Sequence, residues 1–201
     1  MKQTKGKKLY SLPEIYGIAV KAFRSAGDLR RLKKAGLLTD AMQERVMLAV
    51  TSVNRCAMCS YAHAGMALKA GLCDREIQGH VTGEFPDVPE EDGKAVLFGQ
   101  YYAECRGRPE ADVWQELVGV YGAETAMGIL ASARVIMMGN AIGIIIGSLS
   151  GRLRGNGGDS RSSLPYEVSV LLILPPAMVL AALHSLVCGL FRIPKLRFAR
   201  K

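Results

Sequence analysis

Four side chains in the segment 44–71 have the residue types and the spacing for redox chemistry. Cys56 and Cys59 form a Cys-x-x-Cys pair, and His63 follows four residues after the second cysteine. Glu44 lies twelve residues before Cys56, on what the pattern predicts to be the preceding helix, where it could orient His63 or relay protons. At about 3.6 residues per turn, positions 56, 59 and 63 fall within roughly 60° on one helix face. Thiol redox chemistry is the best explanation for this arrangement.

Two features of the predicted helix can favour a thiolate on these cysteines. Asn54 is a good N-cap, so the helix is predicted to span 55–70 and to place Cys56 at its second position, near unpaired backbone N–H groups. Cys59 has His63 one turn later, and helical side chains lean toward the N-terminus, so the imidazole can reach back to that sulfur. The two cysteines are close enough in sequence to form a small disulfide ring.

Other interpretations of the same residues remain open. Zinc could bind Cys56, Cys59 and His63, but one continuous helix offers poor tetrahedral geometry and no clear fourth ligand follows. Haem attachment needs a histidine directly after the second cysteine, where Ser60 stands. The cysteines could also be inert residues of the core. We expect no metal ion at this site.

The elements that must position these side chains are predicted to be helices, because apolar residues recur at helical spacing and strand-like alternation is missing. Asp40, with Gln43 three residues on, is expected to cap the helix that carries Glu44. The chain is therefore predicted to be a single all-α domain, 1–201. The predicted helices span residues 13–25, 29–34, 40–53, 55–70, 74–85, 90–104, 109–122 and 123–153.

The apolar segment 123–153 is predicted to be the long central helix of the core. Its glycines at positions 139, 143 and 147 recur every four residues, which would let another helix approach closely. His80 is expected at the surface. The three cysteines outside the pair are expected to have structural roles.

The C-terminal segment 165–201 is predicted to be an apolar helical extension with a basic tail. Residues 168–191 carry no charge and are long enough to cross a membrane, but Pro175 and Pro176 interrupt the segment and His184 lies in its second half. Two shorter helices fit equally well. We expect buried core or an oligomer interface, with membrane contact as the alternative.

The net charge of +8 comes from the ends of the chain. Nine of the 26 basic residues lie in 1–8 and 192–201, which leaves 17 basic against 18 acidic residues in between. We therefore expect solvated tails and no nucleic-acid partner, with an anionic surface as the alternative. An odd number of cysteines and the lack of an apolar leader after residue 8 favour the reducing cytoplasm.

The chain resembles the carboxymuconolactone decarboxylase superfamily, and within it the alkylhydroperoxidase D-like branch. The resemblance rests on Glu44, on Cys56-Ala57-Met58-Cys59 and on His63. It continues through GMALKAGLCDREI and through the helix that precedes Gly107-Arg108-Pro109. The family-like core covers residues 40–150.

This resemblance implies an alkylhydroperoxidase-like helical bundle, assembly into trimers or hexamers, and a thiol-dependent peroxidase activity. A hydroperoxide would oxidise one cysteine, and the second would close a Cys56–Cys59 disulfide. An external dithiol, either a carrier protein or a lipoyl-type group, would then reduce it. Glu44 and His63 would serve as the proton relay, and no cofactor beyond the disulfide is implied. Because His63 favours the Cys59 thiolate more strongly than a helix dipole of about 0.3–1 kcal/mol favours Cys56, we predict that Cys59 attacks the peroxide.

Two other activities fit the same residues. The pair could reduce disulfides or serve a redox-linked binding protein. A cyclic lactone acid could also be decarboxylated, as by members of the superfamily that do not need the cysteine pair.

Overall fold

The computed structural model describes residues 9–82, 87–196 and 198–199, and within these residues the regular structure is α-helical throughout. The all-α prediction is therefore confirmed. Several residues used in the sequence analysis lie outside the described residues, namely the four lysines in 1–8, Pro86, Arg197, Arg200 and Lys201. The described helices are α1 (Leu12–Lys34), α2 (Asp40–Asn54), α3 (Ala57–Lys69), α4 (Asp74–Thr82), α5 (Glu90–Glu104), α6 (Ala111–Leu153) and α7 (Leu164–Leu190).

The first helix, α1, is continuous where the sequence predicted two helices. The backbone N–H of Ser11 donates to Glu14 Oε2 at 2.8 Å, which closes a capping box at the start of α1. The helix passes through Gly27, whose low helix propensity costs about 1 kcal/mol. Leu32 is fully buried in the core beyond that point, and burying a leucine contributes about 1.5–3 kcal/mol. Tertiary burial therefore overrides the local break signal.

The helix that carries Glu44, α2, has its N-cap one residue earlier than predicted. Thr39 is the N-cap, and its Oγ1 accepts the backbone N–H of Met42 at 3.1 Å. Asp40 is instead the first helical residue, and it forms an ion pair of 2.6 Å with Lys33 on α1. The predicted cap at Asp40 is therefore wrong, although an acidic residue in the first turn still favours the helix.

The central helix is α6, and its two parts meet at Gly122. There φ is 75° and ψ is 160°, a conformation that only glycine adopts easily, so the predicted boundary at this residue is confirmed. Beyond it, Ile129, Leu130 and Met137 are each at most 1% exposed. The helices α1, α2, α3, α5 and α7 all pack against α6. The predicted central core helix is confirmed, and most of its apolar residues are covered within one chain.

The C-terminal helix, α7, runs without interruption through Pro175 and Pro176. Both prolines are exposed, so their rings do not have to fit a packed interface. The alternative of two shorter helices is therefore wrong. Glu167 is fully buried near the start of α7 and accepts hydrogen bonds from Ser148 Oγ and Arg152 Nε. The body of α7 packs along α1.

Among the described residues, α6 and α7 are both long and apolar enough to cross a membrane, but they differ in burial. The most apolar window of α6 is 72% buried and that of α7 is 11% buried. The burial of α6 is that of a soluble core helix. We predicted buried core or an oligomer interface for the C-terminal segment, and buried core is wrong, because α7 leaves most of its apolar surface uncovered in the single chain. The oligomer interface stays a prediction.

Candidate active site

The link between α2 and α3 positions the cysteine pair. Asn54 ends α2, and Arg55 adopts a left-handed conformation with φ of 57° and ψ of 50°. Cys56 is the N-cap of α3, and its Sγ accepts the backbone N–H of Cys59 at 3.3 Å. The predicted cap at Asn54 and the predicted helical position of Cys56 are therefore both wrong by two residues. A thiolate at Cys56 would still gain from the helix N-terminus, because its sulfur accepts one of the unpaired N–H groups directly.

Cys56 and Cys59 form a disulfide, with their Cα atoms 5.2 Å apart. Cys56 is 1% exposed and Cys59 is 8% exposed. The pair is therefore almost completely shielded from bulk solvent. This arrangement is compatible with a site that cycles between dithiol and disulfide.

The predicted partnership of Glu44 and His63 is present. His63 Nδ1 lies 2.7 Å from Glu44 Oε2, and both side chains are largely buried between α2 and α3. A carboxylate only accepts hydrogen bonds, so this contact places the proton on Nδ1 and leaves Nε2 to exchange a proton with another group. His63 also lies four residues after Cys59 on α3, a spacing at which side chains on one face are neighbours.

Gly143 on α6 leaves the space that the two sulfurs occupy. A Cβ at this position would lie 2.7 Å from Cys59 Sγ and 2.9 Å from Cys56 Sγ, both closer than a real Cβ approaches a heavy atom. A Cβ at Gly139 would meet Ile136 at 3.6 Å and one at Gly147 would meet Met58 at 3.9 Å, both ordinary contacts. The predicted close approach is therefore confirmed at Gly143 and not at Gly139 or Gly147, and Gly143 is the member of the row that the cysteines require.

Arg161, in the loop after α6, holds the link between α2 and α3 in place. This residue was not identified in the sequence analysis. Its guanidinium donates to the carbonyl oxygens of Asn54 at 3.0 Å and Arg55 at 3.3 Å, which lie at the C-terminus of α2. Asp159 in turn binds Arg161 at 2.6 Å, and this hydrogen bond lowers the pKa of the Asp159 carboxyl. The contacts span more than 100 residues of sequence, and no local signal indicates them.

Buried polar contacts anchor the end of α2 on its other sides. Thr51 Oγ1 donates to Asn140 Oδ1 at 3.1 Å, and both residues are fully buried. Tyr10 donates its hydroxyl to Asn54 Oδ1 at 2.8 Å, and burial raises the pKa of Tyr10 to about 12. These contacts fix the end of α2 against α6 and the residues before α1, so the cysteines enter α3 at a defined place.

A cavity of about 530 Å³ opens beside the disulfide. Met58, Gly143 and Gly147 form its wall on the side of the cysteines, while Arg55 and Arg154 contribute basic side chains. Gly143 also faces both sulfurs, so the cavity lies close to the buried pair, although neither cysteine forms part of its lining. In the described residues, no three His, Cys, Asp or Glu side chains lie together as a metal site would require.

Arg45, next to Glu44 on α2, ties that helix to α4 and α5. Its guanidinium binds Glu76 at 2.5 Å and Asp92 at 2.6 Å, and all three side chains are nearly buried. His80 is also buried, at 1% exposure, so its predicted surface position is wrong. Burial, with the charge of Arg45 nearby, lowers the pKa of His80 to about 4. This cluster fixes the helix from which Glu44 reaches His63.

Residues 20–84 match the model of the carboxymuconolactone decarboxylase family. The match covers about a third of the chain and includes Glu44, both cysteines and His63. It supports the resemblance to that superfamily and leaves the alkylhydroperoxidase D-like branch a prediction. No curated protein and no solved structure matches the chain.

The carboxymuconolactone decarboxylase match and the predicted family-like core, 40–150, have different limits. The matched segment begins inside α1 and ends at α4, so it contains Arg45 and Glu76. It does not contain Gly143 or Arg161. Two of the residues that position the cysteines therefore lie outside the matched segment and are identified from the structure.

Proposed function

We propose that the protein is a thiol-dependent peroxidase that reduces small organic hydroperoxides through the Cys56–Cys59 pair. The observation that carries this proposal is the buried disulfide at the start of α3, with His63 one turn later on α3 and hydrogen-bonded to Glu44 of α2. A disulfide alone could be structural. A histidine one turn from Cys59, held in one tautomer by a buried carboxylate, gives the pair a means of moving protons.

The reaction takes place in three steps. The Cys59 thiolate attacks the terminal oxygen of the hydroperoxide, the O–O bond breaks, and the alcohol leaves with a proton from the His63 imidazolium. Cys59 is now a sulfenic acid. The Cys56 thiol attacks that sulfur, the disulfide forms and water leaves. An external dithiol then returns two electrons and two protons through a mixed disulfide, which restores both thiols.

Burial favours a hydroperoxide over a folded protein as the oxidant. With Cys56 and Cys59 at 1% and 8% exposure, the disulfide of another protein cannot reach either sulfur without opening the fold. A small hydroperoxide can enter the cavity of about 530 Å³ beside Gly143. The same argument favours a slender dithiol of the lipoyl type as the reductant over a rigid protein surface.

Cys59 remains our choice for the attacking cysteine. It is the more exposed of the two sulfurs, and it has His63 one turn away. Cys56 caps α3, so the helix N-terminus stabilises its thiolate. A stabilised thiolate is a good leaving group. When the reductant attacks Cys59, the disulfide bond breaks and Cys56 leaves as the thiolate.

Hydroperoxide consumption by the reduced protein tests the proposal. Reduced wild-type protein should consume one equivalent of an organic hydroperoxide, and Cys59→Ser should abolish this reaction. Cys56→Ser should still react once and hold a sulfenic acid on Cys59 that a dimedone probe traps. Cys73→Ser is the matched control, since Cys73 is an exposed free thiol outside the site, and it should behave as wild type. Equal consumption by Cys59→Ser and wild type would contradict the assignment.

Lactone decarboxylation is the second candidate, favoured by the family match. Arg55 and Arg154 at the cavity could bind the carboxylate of such a substrate. This activity does not need the disulfide, so turnover of a lactone acid by the Cys56→Ser/Cys59→Ser double variant would favour it over the peroxidase.

A further inference from the structure

One face of α7 carries an unbroken apolar stripe along the whole helix. At 1.5 Å per residue its 27 residues extend about 40 Å. Large side chains on this face are more than half exposed from the first half of the helix to its end. We call this face, together with Phe191 at the C-cap, the α7 stripe, and its exposed members include Leu172, Val179, Leu183, Leu186, Leu190 and Phe191. An uncovered surface of this length in a folded chain marks an interaction site.

Polar contacts at both ends hold α7 against the body of the protein. At its start, buried Glu167 accepts hydrogen bonds from Ser148 and Arg152 on α6; burial opposes the ionised form, but these bonds keep the pKa of Glu167 below its usual range. After its end, Arg24 donates to the carbonyl oxygens of Ile193 and Pro194.

Lys195, which follows Pro194, is also held in place. Arg134 donates to the carbonyl of Lys195 at 2.8 Å, and the Lys195 ammonium pairs with Asp28 at 2.5 Å. A helix tied down at both ends lies along the body rather than projecting from it. This geometry favours a surface that the whole stripe can lie on, and it disfavours crossing a bilayer.

The end of the chain that contains most of the α7 stripe carries charge of one sign. Residues 168–201 contain five basic residues and no acidic residue, and residues 1–13 contain four lysines and no acidic residue. Arg192 stands exposed directly after the helix. Outside 1–8 and 192–201 the chain carries 17 basic and 18 acidic residues. The net positive charge of the protein is thus concentrated at the two ends of the chain, and the C-terminal end directly follows the stripe.

We propose that the α7 stripe docks on an anionic lipid surface, with the helix lying in the plane of the headgroups. A stripe of leucine, valine and phenylalanine buries in the boundary between headgroups and acyl chains, and neighbouring basic residues bind anionic headgroups. A hydrophobic face together with a basic segment supplies the two signals that stable peripheral binding requires.

A second copy of the chain fits the stripe less well. In a symmetric pair each stripe meets the same stripe of the other copy, including the same flanking residues. Neither copy offers an acidic residue between 168 and 201 to meet the basic tail of the other. An anionic surface satisfies both the apolar and the basic parts of this region. The inference does not depend on the proposed peroxidase activity.

Vesicle flotation of the full chain tests the proposal. Wild-type protein should float with phosphatidylcholine vesicles that contain phosphatidylglycerol, and much less with phosphatidylcholine alone. Leu172→Gln/Val179→Gln/Leu186→Gln should lower the bound fraction at least tenfold without changing the thermal unfolding midpoint, because these side chains are 61–73% exposed. Leu97→Gln/Val120→Gln is the matched control on α5 and α6, at 57% and 54% exposure, and should bind as wild type.

The charge contribution is tested separately. Arg192→Gln should weaken binding to the anionic vesicles by about fivefold, as one basic residue near such a surface contributes. Binding should also fall with added salt.

Three outcomes would overturn the proposal. The first is that the wild-type protein does not float with the vesicles. If light scattering then shows a dimer, and the triple variant dissociates it, the stripe is an interface between two copies of the chain. The second is equal binding by the triple variant and the wild type. The third is protein that resists extraction from vesicles by alkaline carbonate, which would indicate a spanning helix.

Discussion

Replacing Gly143 with alanine tests whether the close approach of α6 is what accommodates the disulfide. The new Cβ would lie 2.7 Å from Cys59 Sγ and 2.9 Å from Cys56 Sγ, while ordinary van der Waals contact begins at 3.4 Å. Helix and sulfurs must therefore separate by about 0.7 Å. The disulfide holds both sulfurs in place, whereas the two thiols can rotate away from the methyl group. The substitution should consequently disfavour the oxidised form.

The size of the effect follows from the cost of overpacking. Forcing an extra methyl group into a packed core costs about 1–3 kcal/mol. For a two-electron couple about 1.4 kcal/mol corresponds to 30 mV, so the reduction potential should rise by about 20–60 mV. The gain of about 1 kcal/mol from replacing glycine with alanine in a helix applies to both redox forms and cancels.

The assay is equilibration in a series of dithiothreitol redox buffers, followed by alkylation and mass spectrometry of the intact protein. Gly139→Ala and Gly147→Ala are matched controls on the same helix, since their new Cβ atoms would make only ordinary contacts at 3.6 Å and 3.9 Å. Both controls should keep the wild-type potential. A Gly143→Ala potential equal to that of the controls would refute the argument that this glycine makes room for the disulfide.

Three further predictions concern the site and its support. Glu44→Gln should slow peroxide turnover by about a hundredfold, since it removes a proton-relay partner while keeping the shape; unchanged turnover would remove Glu44 from the site. Arg45→Met should lower the free energy of unfolding in urea by about 3–5 kcal/mol, because it leaves two buried carboxylates unpaired, whereas Arg31→Met, which breaks an exposed pair, should cost less than about 1 kcal/mol. His80 has a folded pKa of about 4 against an ordinary 6.5, so the unfolded chain binds its proton first as the pH falls. Stability should therefore drop by up to about 3 kcal/mol between pH 7.5 and 4, and His80→Gln should remove this part of the slope; parallel pH curves for the two proteins would contradict the shift.

The arrangement of the candidate site residues could be predicted from the sequence because it depends on short spacings. Cys56, Cys59 and His63 are near neighbours in the chain, so helical geometry alone brings them together. The contact of Glu44 with His63 needed one further assumption, that two consecutive amphipathic helices pack face to face. The observed distance of 2.7 Å meets that assumption. The catalytic roles of these residues stay predictions.

Local signals failed where tertiary contacts decide the backbone. Arg55 adopts a left-handed conformation that its residue type does not indicate, and this moves Cys56 from inside the helix to its cap. Arg161 reaches across the fold to hold that link. It lies 107 positions after Asn54 and 106 positions after Arg55 in the sequence. Gly143 was visible only as one of three similar glycines.

Burial was the least predictable property. The segment 168–191 and the second part of α6 are similarly apolar, yet one is mostly exposed and the other mostly buried. Composition sets how much apolar surface exists, but the packing partners decide which of it is covered. His80 shows the opposite case, since a titratable residue on a short polar helix is buried beside Arg45.

The free-thiol count before and after one equivalent of an organic hydroperoxide tests the central claim most directly. The fully reduced protein should lose two free thiols, and peptide mapping should locate the new disulfide between Cys56 and Cys59. The other three cysteines should remain reduced, and a dithiol should restore the original count. Retention of all five thiols in the presence of hydroperoxide, or oxidation confined to cysteines other than this pair, would contradict the account.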